Sequence, residues 1–119
     1  MSAVGQNIVV YNDGSYDPQD GTSAAAPLVA AILTRINGAR LSIGKSTIGF
    51  VNPVLYAHRE VFNDITSGSQ SGCRVHSRVD PTYLDAITPG FVTAAGWDPV
   101  TGLGTPNYPE LLHPFLNLP

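Results

Sequence analysis

The apolar residues of this chain come in short blocks with changing spacing. Ile8-Val9-Val10-Tyr11 is a β-rich block, and Asn12-Asp13-Gly14 ends it with turn residues. Residues 15–21 are polar and contain Pro18, so they read as a loop. The period then becomes helical. Leu28, Val29, Ile32, Leu33 and Ile36 share one face, which predicts a helix over 24–37. Thr22 or Ser23 is placed to cap it, and Asn37-Gly38 to stop it. Pro27 lies close to the first turn, where a missing N–H costs little. Ala24, Ala25 and Ala26 let the start of the helix pack closely against other elements. Residues 39–49 form a connection with a basic centre, and Asn52-Pro53 opens a shorter helix over 53–60. From 63 to 106 the chain is rich in Gly, Ser, Thr, Asp and Pro and has few periodic apolar positions. So long an irregular stretch is functional, metal-organised or disordered. A terminal helix is predicted over 107–118 on Leu111, Leu112, Phe115 and Leu116, with Pro114 expected to kink or shorten it. No internal repeat is visible.

Composition narrows the function classes. The 119 residues suffice for one small domain. They are 43% hydrophobic and only 13% charged, which suits a buried core under small polar turns and not a disordered tail. The net charge of −3 and six scattered Lys and Arg residues give no nucleic-acid footprint. Cys73 stands alone, so neither an internal disulfide nor a cysteine metal site is available. It reads as a buried or partly buried thiol, or as the partner of a cysteine outside the chain. Residues 1–7 have neither the basic region nor the apolar stretch of a signal peptide. No apolar run approaches the ~20 residues of a membrane span.

Candidate chemistry starts at Gly21-Thr22-Ser23-Ala24-Ala25-Ala26-Pro27. Serine needs a base to become a nucleophile. A helix N-terminus offers free N–H groups and the positive end of a dipole to a developing oxyanion. Gly21 allows close approach of a substrate, and the small alanines leave room around Ser23. Local composition alone favours Ser23 or Thr22 as only a helix cap, since Ser and Thr are common caps. A hydrolase with serine first and Asp85 and His113 downstream is a further reading. That class wants Gly-x-Ser-x-Gly, and Ala25 stands at the last position.

The serine motif resembles that of the subtilisin-like superfamily, shared by subtilisins and sedolisins. The tail separates the two. Gly96-Trp97-Asp98-Pro99-Val100-Thr101-Gly102-Leu103-Gly104-Thr105-Pro106-Asn107 resembles the end of sedolisins (serine-carboxyl peptidases), tripeptidyl peptidases included. Phe62-Asn63-Asp64-Ile65-Thr66-Ser67-Gly68 and Gly49-Phe50-Val51-Asn52-Pro53-Val54-Leu55-Tyr56 match two further sedolisin segments in the family's order. Asp20 departs from the pattern, standing where the family usually has Gly or Ser, and Ala94 stands where it often has Gly.

The resemblance implies an α/β fold for residues 1–119, a partial peptidase domain. It would be the C-terminal portion of a subtilisin-like parallel sheet with flanking helices and a calcium-binding loop region. It implies Ser23 as the nucleophile of an acyl-enzyme peptidase acting at acidic pH on peptide or protein substrates. Sedolisins use Glu in place of the His base, and their Glu, Asp and oxyanion-hole Asp lie upstream of the serine. None can be assigned here, and Asp13, Asp17 and Asp20 do not match those positions. The chain alone is therefore expected to be inactive, with the missing N-terminal part of the domain as its partner; the alternative is a non-catalytic pseudo-enzyme or calcium-binding fragment. The resemblance assigns Ca2+ to the side chains of Asp64 and Asp98 and the backbone carbonyls of Ile65, Ala94 and Gly96. From the residues alone, Asp64 caps a turn and Asp98, before Pro99, makes an Asx turn. His58, His76 and His113 read as surface or packing residues. The parent is expected to be secreted or lysosomal.

Overall fold

The computed structural model describes residues 1–70 and 90–119. The chain opens with a hairpin, β1 (Ile8–Asn12) against β2 (Ser15–Gln19), paired antiparallel from Ile8↔Gln19 to Asn12↔Ser15. The polar loop expected over 15–21 is thus mostly strand. Asp13 and Gly14 sit at φ 45 and 80, and both central residues of a type I′ hairpin turn need positive φ. Tyr11 and Tyr16 meet edge-on at 5.1 Å across the hairpin. Past it, Gly21 N–H donates to Gly5 O at 2.6 Å, tying the base of the hairpin to the N-terminal segment.

The helix α1 (Thr22–Ser42) is longer at both ends than the pattern predicts. Asn37-Gly38 does not stop it, because the next turn has a buried partner. Ile36 and Arg40 lie on one face and are both buried. Asn37 stays inside the helix and accepts the Ile48 N–H on Oδ1 at 2.8 Å, holding the returning chain. Then follow α2 (Asn52–Ala57), a 3-10 turn over Arg59–Val61, β3 (Phe62–Asn63), β4 (Ser69–Gln70), β5 (Phe91–Val92), β6 (Thr105–Pro106) and α3 (Tyr108–Asn117). Pro114 is buried inside α3 and does not end it. The second predicted helix, 53–60, is thus split at His58.

The core consists of Ile36, Leu55, Val61, Phe62, Leu103, Leu111 and Phe115. It gathers the second half of α1, α2, β3 and α3. Arg40 crosses it and donates to Ser46 O at 2.6 Å, to Phe115 O, and to Leu118 O and Pro119 O at 3.3 and 2.6 Å. Lys45 Nζ adds Leu116 O and Leu118 O at 2.7 and 2.5 Å. Two cations from α1 and its following loop thereby satisfy the carbonyls that the end of α3 leaves open.

The expected parallel sheet is not found among the described residues, where every strand pair is antiparallel: β1–β2, β3–β6 and β4–β5. β1 meets β2 across two residues, which permits only antiparallel pairing. A parallel partner must arrive through a crossover of about a dozen residues or more. Mixed helices and short strands remain within the α/β expectation. The molecule is elongated: its Cα radius of gyration is 18.8 Å, where a compact chain of this length has about 13–14 Å. No helix among the described residues is long and apolar enough to cross a membrane.

Candidate active site and calcium loop

Ser23 is the second residue of α1. The cap position belongs to Gly21, and among the described residues no side chain caps the open N–H groups of the first turn. The capping role open to Thr22 or Ser23 is therefore not taken by either. Ser23 is exposed. Pro27 lies inside the helix rather than in its first turn, so the Ser23 carbonyl lacks its usual i+4 amide donor. The result is a helix start with free donors beside an accessible hydroxyl.

A groove of about 400 Å³ opens beside Ser23, lined by Ile8, Val10, Gln19, Asp20, Gly21 and Ala24 as well. The hairpin forms one wall and the start of α1 the other. Asp20 reaches it from the link between them, its Oδ1 accepting the Asn7 N–H at 2.7 Å. No Glu or His lines this groove among the described residues. His113 is on α3, beside Asn117 at 3.4 Å, and lines a separate cavity with His58, Glu60 and Glu110. α3 packs on the part of α1 around Ile36, about 20 Å along the helix from Ser23 at 1.5 Å per residue. The structure therefore does not bring His113 to Ser23. His58 pairs with Glu60 at 2.9 Å on the surface. Asp85, Cys73 and His76 lie outside the described residues.

Among the residues expected to hold calcium, Asp64 meets Gly96 and Asp98 meets Ala94. Asp64 directly follows β3, whose Asn63 pairs with Thr105 of β6. Its Oδ2 accepts the Gly96 N–H at 2.7 Å. Asp98 Oδ2 accepts the Ala94 N–H at 3.3 Å. Both carboxylates thus grip the 94–96 backbone from opposite ends of the loop, and Ile65 is next to Asp64 in the chain. Asp98 is 1% exposed. Its Oδ1 takes the Val100 and Thr101 amides, both at 2.8 Å, and Oδ2 also takes the Thr101 hydroxyl at 3.1 Å. The Asx turn read from Asp98-Pro99 is therefore present. The Thr101 amide foremost, with the Ala94 amide, the Thr101 hydroxyl and the Val100 amide, holds the Asp98 carboxyl below its ordinary range against the opposing effect of burial. Asp98 and Gly102 close the turn through paired backbone bonds of 3.2 and 2.9 Å. At Gly104 a Cβ would meet Asn63 O at 2.1 Å, so β3 and β6 approach this closely only because the residue is glycine.

Thr101 is the residue of this loop that the sequence reading passed over. Its signal was an Asp with Thr three residues on, the spacing at which a turn returns a hydroxyl to the carboxylate. Two carboxylates and three backbone carbonyls form a hard-oxygen donor set. Asp64 keeps lone pairs beyond its bond to Gly96, whereas each Asp98 oxygen already accepts two hydrogen bonds. The donor types suit calcium, and Asp98 would have to exchange one of its four bonds to ligate it. No cluster of three or more His, Cys, Asp or Glu side chains suited to a metal occurs among the described residues, so carbonyls would have to complete any site.

No protein-family model matches the chain. Similarity to individual proteins is extensive. The tripeptidyl-peptidase sed1 of Aspergillus fumigatus is 58% identical over all 119 residues, and aorsin of Aspergillus oryzae is 48% identical over the same span. The tripeptidyl-peptidase SED1 of Arthroderma otae is 48% identical over 98 residues, 82% of the chain. The chain belongs to the sedolisin family. It spans 16% of the length of the first two relatives and 13% of the third. In this sedolisin segment the exposed serine at the start of α1 and the acid-gripped loop are separate structures, joined through the core.

Proposed function

We propose that this segment supplies the nucleophile of a serine-type peptidase, tripeptidyl peptidase or endopeptidase, that hydrolyses peptide bonds at acidic pH. The observation that carries the reading is the position of Ser23: uncapped, exposed and facing a groove, in a chain 58% identical to a tripeptidyl-peptidase. Ser23 Oγ attacks the substrate carbonyl, and the free N–H groups at the start of α1, its own included, stabilise the oxyanion. The proton passes to a Glu of the longer protein, oriented by an Asp, which returns it to the departing amine as the C–N bond breaks. Water, deprotonated by the same Glu, then attacks the ester, and Ser23 regains its proton as the acid product leaves. The parent works outside the cell or in an acidic compartment. Calcium, held by Asp64, Asp98 and the carbonyls of Ile65, Ala94 and Gly96, would fix the 94–98 loop against β3. Its role is structural, and no catalytic step passes through it.

The test is a segment exchange. Residues 1–119 replace the matching part of the Aspergillus fumigatus tripeptidyl-peptidase sed1. The exchanged enzyme should cleave peptides at acidic pH, and Ser23→Ala should cut the rate by about 10³-fold or more. A well-folded exchange with no activity would sink the proposal.

A second reading, a non-catalytic calcium-binding fragment or pseudo-enzyme, is favoured by the absence of any Glu or His from the groove among the described residues. Under that reading the chain binds calcium and the exchanged enzyme stays inactive.

A further inference from the structure

The groove beside Ser23 has an uneven lining. Ile8, Val10 and Ala24 give it apolar walls, Gln19 a neutral polar group, and Asp20 the one charge among the described residues. No Lys or Arg lines it, and no ion pair to Asp20 occurs among the described residues. One Asp20 oxygen accepts the Asn7 amide at 2.7 Å, which anchors the carboxylate at the groove. Asn7 itself is at φ 55, in the left-handed region.

We infer that Asp20 is a specificity-determining residue: it selects peptides carrying a Lys or Arg side chain close to the bond presented to Ser23. This rests on the reading of the groove as the peptide site of a serine peptidase. A cationic side chain laid along Ile8 and Val10 covers its methylenes on the apolar wall and brings its charge to the carboxylate. A neutral side chain gains only the first contact. A like-charged side chain is repelled, so Glu and Asp are disfavoured at the same place.

The substitution that isolates the charge is Asp20→Asn, since an amide oxygen can still accept the Asn7 N–H. Two hexapeptides identical but for one Lys-to-norleucine change are titrated calorimetrically into the 119-residue chain and into its D20N form. The Lys peptide should bind the parent chain about 5-fold more tightly than the norleucine peptide, the size of an exposed charge pair. In D20N the two should bind alike, and a circular-dichroism spectrum matching that of the parent chain certifies the fold. Raising ionic strength toward ~1 M should erase the preference. Equal binding of both peptides to the parent chain, or a Lys preference that survives in D20N, overturns the role of Asp20 while leaving the groove a peptide site. Binding of neither peptide overturns both. The peptidase reading itself stands or falls with the segment exchange.

Discussion

Ser23 and Asp98 show how one residue's surroundings set its task. Ser23 stands on an uncapped helix start, and no Glu or His lines its groove among the described residues. Asp98 is the opposite: buried, with its carboxylate enclosed by four donors. Because those bonds favour the charged form, the folded-state pKa is lowered. The stability this group contributes is then fully present above the ordinary carboxylate value near 4, and is lost as pH falls through the lowered value. Asp98→Asn should therefore lower the melting temperature at pH ~6, with the gap to the parent chain closing only under strongly acidic conditions. A gap of constant size across an acid titration of melting temperature would refute this. The loop consequently stays intact at the mildly acidic pH where the peptidase is proposed to work. Both residues were legible from sequence: Asp98 through Asp-Pro and the tail pattern, Ser23 through its motif. Thr101 was not, because a threonine in a turn is common and only the fold shows that it donates twice to one carboxylate.

At the scale of elements, α1 carries two unrelated ends. Its first turns face the groove, while its last turns hold the core and, through Arg40, the end of α3. Arg40→Met keeps much of the volume but strips donors from several carbonyls. At roughly 1–3 kcal/mol per orphaned buried acceptor, it should cost about 2–4 kcal/mol, read by urea denaturation. A loss below ~0.5 kcal/mol would mean that water replaces the guanidinium. Phe115→Ala, on the facing helix and fully buried, should cost about 3–5 kcal/mol in the same assay. The apolar period predicted α1 and α3 well. It missed the extension past Gly38 because that turn is bought by Arg40's long-range bonds, which no local pattern contains. It missed β2 because Ser15, Tyr16, Asp17, Pro18 and Gln19 are all exposed and show no alternation; the Asp13-Gly14 pair was the available hairpin signal. The split of 53–60 at His58 follows from a turn too short to have a period.

The whole molecule is elongated, and its hairpin is exposed along both strands except at Ile8. Val9 and Tyr11 are 65% and 68% exposed, and a two-stranded hairpin is only marginally stable by itself. These surfaces are where the longer protein is proposed to pack, bringing the Glu to Ser23. Calcium is proposed to act elsewhere, at the loop of Asp64 and Asp98. Millimolar calcium should raise the melting temperature of the chain, by the equivalent of about 2.7 kcal/mol at a hundredfold excess over the dissociation constant, and Asp64→Ala should remove the shift. An unchanged melting curve would speak against calcium. The parallel sheet expected from the family pattern has no counterpart among the described residues, where each strand pairs antiparallel with a neighbour.

The most direct measurement is peptide turnover by the purified 119-residue chain at acidic pH with calcium, beside its Ser23→Ala form. If Ser23 depends on a base from outside these residues, neither form cleaves peptide above background. Turnover by the parent chain that disappears in Ser23→Ala would place a base within the 119 residues and contradict the account.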